Sequence, residues 1–455
     1  MAKADNDFTK GSIPRNILSM ALPMTLAQII NLLYNIVDRI YIGRIPVEGT
    51  LALTGLGLTF PIITILSAFA NLFGMGGAPL CSIARGRKDN KRAGEIMRCS
   101  YTLLVITAVI LTVVCLIFMK PLLYAFGASD AIYPYARDYL RIYLLGTIFV
   151  MISLGMNNFI NSQGFGKMGM MTILCGAVAN IILDPVFIFG FGMGVQGAAI
   201  ATVTSQGLSA VFALKFLNSS KAILKLNPIK FYFNKKLAGE ITAMGISGFT
   251  LAATNGAVQI VCNAQLQQFG GDLYIGVMTI LNSVRDILTM PVTGITNGAQ
   301  PVLGYNYGAG EFDRVKKSIK FMTFFCLAYT ALAWLCVILF PEVFIHIFNG
   351  SADLMDAGIP ALHIYFFGFI FMTLQFAGQS TFVALGKAKQ ATFFSIFRKI
   401  IIVVPLAVIL PYIGNLGVDG VFLSEPISNF VGGVASFTTM MLTVWRKLEP
   451  KQRKK

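Results

Sequence analysis

The chain has 455 residues, 56% of them hydrophobic and 12% charged, with a formal net charge of +16. Soluble domains carry about twice that charged fraction, so the composition excludes an ordinary soluble enzyme or binding module. The basic surplus lies in short stretches between long apolar runs, which points to membrane orientation and away from nucleic acid.

Twelve apolar runs are each long enough to cross about 30 Å of hydrocarbon. In the first half they are expected over 17–37, 53–78, 101–119, 140–160, 168–189 and 195–217. In the second they are expected over 241–264, 274–299, 319–340, 359–385, 391–410 and 418–444. A polar, mixed-charge leader precedes the first run, which contains Asn31 and Asn35, so it reads as a retained helix and not a cleaved signal peptide. With both termini in the cytoplasm, 30 of the 36 Lys and Arg fall on that side; Arg39, Arg44, Lys120, Arg137, Arg141 and Arg285 are the six elsewhere. Arg285 reads as the only basic residue deep inside a span. The last basic group runs from Lys451 to Lys455.

Between the sixth and seventh runs lies Asn218 to Lys236, with Pro228 and five lysines. It reads as a linker, giving an N-terminal lobe over 1–220, a linker over 221–236 and a C-terminal lobe over 237–455. The lobes repeat each other. Pro79, Gly86, Asp89 and Arg92 recur as Pro301, Gly308, Glu311 and Arg314 at an offset of 222. Gly166-Lys167 and Pro185 recur as Gly386-Lys387 and Pro405 at 220, and Gly197 as Gly420 at 223. Six spans per repeat place both copies in the same orientation. The expected fold is an all-α integral membrane protein of twelve helices, in two six-helix lobes related by a pseudo-two-fold axis along the membrane normal, with a cleft between them.

Carboxylates in hydrocarbon call for a partner or a water-filled cavity. Asp184 lies in Asn180-Ile-Ile-Leu-Asp184-Pro185, about 9 Å below the outer loop; Asn180 is one turn deeper, and Thr202 on the returning helix is about 12 Å down. Pro185 lacks an N–H and frees a carbonyl nearby. Carboxylate, amide, hydroxyl and carbonyl would make an all-oxygen site for transient Na⁺ or a proton relay; the plain alternative is a structurally paired Asp. Asp38 ends the first span, with Tyr34 a turn below and Pro23 predisposing the helix to bend; its plain alternative is an interfacial helix end. The counterparts of Asp38 and Asp184 in the second repeat are Val261 and Val404, so the ion site is expected in the first half alone. Asp286 is adjacent to Arg285, and helix neighbours do not face each other; it is a candidate substrate contact. Glu425, before Pro426, is expected to make a local hydrogen bond.

Seven cysteines show no Cys-x-x-Cys pair, and His346 and His363 have no third ligand, so neither a resident metal nor a cofactor is expected. No nucleophile–base pair is visible in the spans, which argues against an intramembrane enzyme.

Val37-Asp38-Arg39-Ile40-Tyr41-Ile42-Gly43-Arg44, Gly76-Gly77 with Arg85-Gly86-Arg87-Lys88-Asp89-Asn90, and Asn180-Ile-Ile-Leu-Asp184-Pro185 resemble the multidrug and toxic compound extrusion (MATE) family, in its MepA-like branch. The likeness extends from Pro14 to Val444. It implies a monomeric, multi-pass cell-membrane antiporter associated with antibiotic resistance. Such a protein exports organic, mostly cationic compounds in exchange for H⁺ or Na⁺ by alternating access. By motif match, Asp38 and Asp184 would couple the ion, with Asn180, Thr202, Tyr34 and Asn157 around them and Pro23 as the bend. The competing reading, a flippase for lipid-linked oligosaccharide or peptidoglycan precursors, would favour basic residues in the spans to hold pyrophosphate.

Overall fold

Helix is the only secondary structure among the described residues, as a chain embedded in lipid requires: each backbone N–H and C=O must be bonded within its own segment. A computed structural model describes residues 6–45, 49–227, 230–347 and 352–448. The linker's Pro228 and the basic tail Lys451 to Lys455 lie outside the described residues.

The first repeat runs through α1 (Ile13–Gly43), α2 (Gly49–Gly86), α3 (Asn90–Ile117), α4 (Met119–Ala125), α5 (Tyr133–Leu145), α6 (Thr147–Ser162), α7 (Gly166–Pro185) and α8 (Gly194–Asn218). The second comprises α9 (Lys235–Ala309), α10 (Phe312–Leu339), α11 (Pro341–His346), α12 (Ala352–Phe366), α13 (Phe369–Ala384), α14 (Ala388–Ile396), α15 (Val404–Ile409) and α16 (Val418–Thr443). Among the described residues, nine helices are long and apolar enough to cross a membrane, and two bent pairs bring the number to eleven. One of the nine is the 75-residue α9, which Gly271 divides with φ 71° and ψ −165°, so the described residues supply twelve crossings.

Two of the spans expected to be continuous are broken. The pair α5–α6 bends by 56° and α12–α13 by 45°. The breaks fall at Gly146 and Gly368, which match at the offset of 222. A side chain at Gly146 would strike Val203, and one at Gly368 would strike the backbone of Pro426, itself the counterpart of Val203. Gly197 presses on the backbone of Phe187 and Ile188 in the same way that Gly420 presses on Leu410 and Pro411. The repeat seen in the sequence is thus a repeat of close helix contacts that only glycine permits.

Polar side chains inside the spans are mostly absorbed locally. Thr64, Thr172 and Thr330 return their hydroxyls to carbonyls one turn back, at 2.9, 3.1 and 2.8 Å. The opposite faces are apolar and open. Ile110, Val113 and Ile117 on α3 are each about half exposed or more, as are their counterparts Leu332, Leu335 and Leu339 on α10. In water such stripes would drive association; in lipid they are the solvated surface.

The chain forms two compact units, one built on Leu22–Gly245 and the other on Ile246–Lys455 together with Phe8–Ala21. Each repeat's first helix therefore starts in the other repeat's unit. In the second unit, Gly298 packs on the backbone of Ala21, and Arg314 donates to the carbonyls of Phe8, Lys10 and Gly11 at 2.9–3.3 Å. In the first unit, Gly76 packs on the backbone of Ile241 and Gly245, and Arg92 pairs with Glu240 at 2.8 Å. Pro23 lies just past the division, buried inside a continuous α1. The described part of the linker stays on the first unit: Leu224 N–H donates to Gln163 at 2.8 Å and Tyr232 N–H to Thr102 at 3.0 Å.

A methyl at Gly245 would fall on the carbonyl of Leu72, whereas one at Gly239, on the same helix, meets nothing within 4 Å. Gly245→Ala is expected to lose about 1–3 kcal/mol, and Gly239→Ala to gain about 0.5–1 kcal/mol from helix propensity. Thermal melts of the purified protein check both; equal midpoints would contradict the contact.

Candidate functional site

The last turn of α7 carries Asn180 and Asp184 on one face, because residues four apart stack. Asn180 Nδ2 donates to Asp184 Oδ1 at 3.2 Å, and the two side chains are 2% and 0% exposed. Pro185 ends the α-helix, and the chain continues as a π-helix over Val186–Gly190, an irregularity that frequently accompanies functional sites. From α1, Asp38 enters the same place with 8% exposure, and its carboxyl comes within hydrogen-bonding reach of the Asp184 carboxyl. The neighbouring Arg39 is turned outward over the ring of Phe60, 4.8 Å from its centroid.

Tyr34, one turn before Asp38, lies near both carboxylates and near Asn35 and Gln206. Thr202 on α8 lies beside Tyr139 of α5, which is also close to Asp38 and stacks on Tyr143. Tyr139 and Gln206 are site residues that periodicity did not single out. Tyr139 falls in a short helix with Arg137, Asp138 and Arg141, and that charged surround hides its inward face.

Asn157 is placed differently. Its Nδ2 donates to the Gly169 carbonyl at 2.8 Å, and its oxygen accepts from Asn161 at 3.0 Å. Gly169 precedes Asn180 by eleven residues, about 16 Å along α7. Asn157 and Asn161 therefore form a separate polar pair nearer the start of α7.

The electrostatics of the pair are unusual. Asp38 Oδ1, Asp184 Oδ2 and Asn180 Oδ1 are all buried and receive no hydrogen bond from the described residues. Two adjacent carboxylates that share a buried site with a single amide donor between them repel each other and lose most of their hydration; a proton between them or a cation beside them relieves both costs. An oxygen-only set of this kind suits a proton or a hard cation such as Na⁺. No group of three or more His, Cys, Asp or Glu side chains among the described residues could hold a metal ion.

The second repeat departs from expectation. Arg285 is not the only basic residue deep in a span. Arg398 and Lys399, in a π-helix over Phe397–Val403, are 6% and 2% exposed. Glu425 makes no merely local hydrogen bond: its Oε1 meets Arg398 at 3.0 Å and Lys399 at 3.3 Å, across to a different helix. Arg285 does reach its neighbour Asp286, at 3.1 Å, because a long guanidinium can fold back where a short side chain cannot. The other side of Arg285 donates to the Tyr365 hydroxyl at 2.8 Å. At the repeat offsets these buried charges match Val178, Ala179 and Thr202, so the same helix pair is polar in both halves, with opposite sign.

The MatE family model matches residues 23–186 and 249–409. The chain belongs to this family. MATE proteins of known structure share the fold: one in a bent conformation superposes with a TM-score of 0.92 at 21% identity, covering 98% of each chain. One in a straight conformation gives 0.89 at 21%, covering 98% of this chain and 99% of the other. Among curated relatives, the multidrug export protein MepA of Staphylococcus haemolyticus is 25% identical over 93% of each chain. That of Staphylococcus aureus is 24% identical over 90% of each. The chain is thus a multi-pass membrane protein of the MATE transporter family, twelve helices in two six-helix lobes, and the family is one of transporters and not of enzymes.

Because one buried oxygen of each carboxylate lacks a donor among the described residues, replacing that carboxylate by an amide is expected to cost the fold little. Asp38→Asn and Asp184→Asn are each expected to leave the thermal midpoint unchanged or raised. A fall of several degrees in both would mark the pair as structural.

Proposed function

We propose that this protein is a secondary antiporter that exports organic, mostly cationic compounds in exchange for H⁺ or Na⁺ by alternating access. The observation that carries the reading is the pair of buried carboxyls, Asp38 and Asp184, each with one oxygen that no donor among the described residues satisfies, on a transporter fold. The name multidrug export protein, held by relatives that align over more than nine-tenths of their length, supports the substrate class.

In this mechanism the incoming ion binds at Asp38 and Asp184, with Asn180, Thr202 and Tyr34 orienting it, and Asn157 with its neighbour forms a polar pair deeper in the same lobe. Ion occupancy removes the repulsion between the carboxylates and allows Asp38 to settle against Asp184, which loads α1. Pro23 leaves one carbonyl of α1 without its N–H partner, so the helix bends there at little cost. That MATE proteins of this fold adopt both bent and straight conformations supports this part of the reading. By linkage, ion and drug must weaken each other equally. The exposed Asp286 is placed in the substrate path as a cation contact. The N-terminal lobe over 1–220 carries the coupling, and the termini are cytoplasmic.

A second reading, a flippase for lipid-linked precursors, draws support from Arg398 and Lys399, since buried cations are what a pyrophosphate would need. The length and breadth of the MepA likeness favour export.

Ethidium efflux from whole cells or inside-out vesicles, with pH and Na⁺ gradients imposed separately, tests the proposal. One gradient alone is expected to drive efflux, and Asp184→Asn to reduce it at least a hundredfold while the protein still inserts. Efflux at the normal rate in that variant would sink the assignment. No movement of dye under either gradient would turn the reading toward the flippase.

A further inference from the structure

The buried ionic group of the second unit plays no part in the coupling chemistry above. Arg398, Lys399 and Glu425 are all more than nine-tenths buried, so two cations face one carboxylate in a region from which water is excluded. The third cation, Arg285, has Asp286 as its own partner. Glu425 is shared by Arg398 and Lys399, and Arg398 also reaches the Asn429 oxygen. Donors remain in surplus. Arg398 Nε is buried with no acceptor among the described residues, and the ammonium of Lys399, with three N–H groups, bonds only Glu425 among them. A buried excess of positive charge is held at high cost unless an anion completes it.

The backbone is shaped around these cations. Both sit in the π-helix Phe397–Val403, and the stem of Arg398 crosses Gly432, where a Cβ would come within 2.9 Å of its Cγ. The fold does not require them, since the matching positions of the first repeat are Val178 and Ala179.

A polar helix face reaches the edge of the group at Arg285. On α9, Asn282, Asp286, Thr289, Thr293, Asn297 and Gln300 follow at steps of four and three, so they line one helix face. All six are at least partly exposed, which a face turned to lipid would not tolerate. The face spans about 27 Å, enough to cross most of the hydrocarbon. Arg285 stands beside it with 23% of its side chain exposed, and the Tyr365 hydroxyl that it bonds donates in turn to Asn282 at 3.1 Å.

We propose that Arg398, Lys399 and Arg285 form a binding site for the anionic group, carboxylate or phosphate, of a transported solute. The protein then handles solutes that carry an acidic group, with Asp286 at the mouth available to a cationic end of the same molecule. The inference uses the transporter reading only in calling the ligand a cargo, and binding is measured without transport.

The test is a calorimetric titration of the purified full-length protein with sodium benzoate, inorganic phosphate and, as the neutral control, benzamide. Saturable binding of benzoate or phosphate is expected, with at least tenfold weaker binding in Arg285→Gln and Lys399→Gln and no change in Gly239→Ala, whose added methyl would meet nothing within 4 Å. Should Lys399→Gln fail to fold, Arg285→Gln, at the part-exposed edge, decides alone. Benzoate alone would identify carboxylate solutes; phosphate alone would identify phosphorylated ones. No saturable binding of either anion, or equal affinity in wild type and Arg285→Gln, would overturn the proposal and leave a structural ion cluster. Failure of gradient-driven ethidium efflux would leave this titration unchanged, so the two readings fall separately.

Discussion

Hydrocarbon offers no hydrogen-bond partner, and nearly every feature of this protein answers to that fact. It dictates helices throughout, and it sends threonine hydroxyls back to carbonyls of their own helix. It also makes each exception informative. Where the chain stops being regular, at Gly146, Gly368 and the two π-helices, a close contact or a charge accompanies the break, and at Gly271 it is a positive φ. Where a buried polar atom has no hydrogen-bond partner among the described residues, as with Asp38 Oδ1, Asp184 Oδ2 and Arg398 Nε, the protein keeps a costly group whose natural complement is an ion or a solute.

Duplication supplies the scaffold on which those exceptions are arranged. The conserved elements of the two copies are steric: glycines at Gly197 and Gly420, bends at Gly146 and Gly368, and the exchange by which α1 and α9 begin in the opposite unit. The charges differ. On the same helix pair the first copy places a carboxylate beside an amide and the second places two cations around a glutamate. Packing selects shape at the repeated positions, while the polar positions between them are free to diverge, which is how one architecture comes to hold sites of opposite sign.

Helix number and repeat were legible in the sequence because hydrophobic length and offset are one-dimensional quantities. Asp38, Asp184, Asn180, Thr202 and Tyr34 were legible for a similar reason: loop distance and helix phase fix depth and face. Asn157 was not, since its level depends on how α6 crosses α7, and it meets Gly169 rather than Asp184. Arg398 and Lys399 were counted with the cytoplasmic charge although they lie within the eleventh expected span; Glu425 at the place of Thr202 was the signal that could have corrected this.

By itself, then, the sequence determined a twelve-span membrane protein, duplicated, with carboxylates at one end of its first half. Membrane thickness and helix rise leave little freedom in those respects. Only the tertiary structure decided that Asp38 meets Asp184, that Tyr139 brings Thr202 into the group, and that three cations gather around Tyr365 and Glu425. Those contacts join residues tens to hundreds of positions apart. Which side chains meet is set by the close approach of helices at glycine, a three-dimensional fit that no periodicity along the chain encodes.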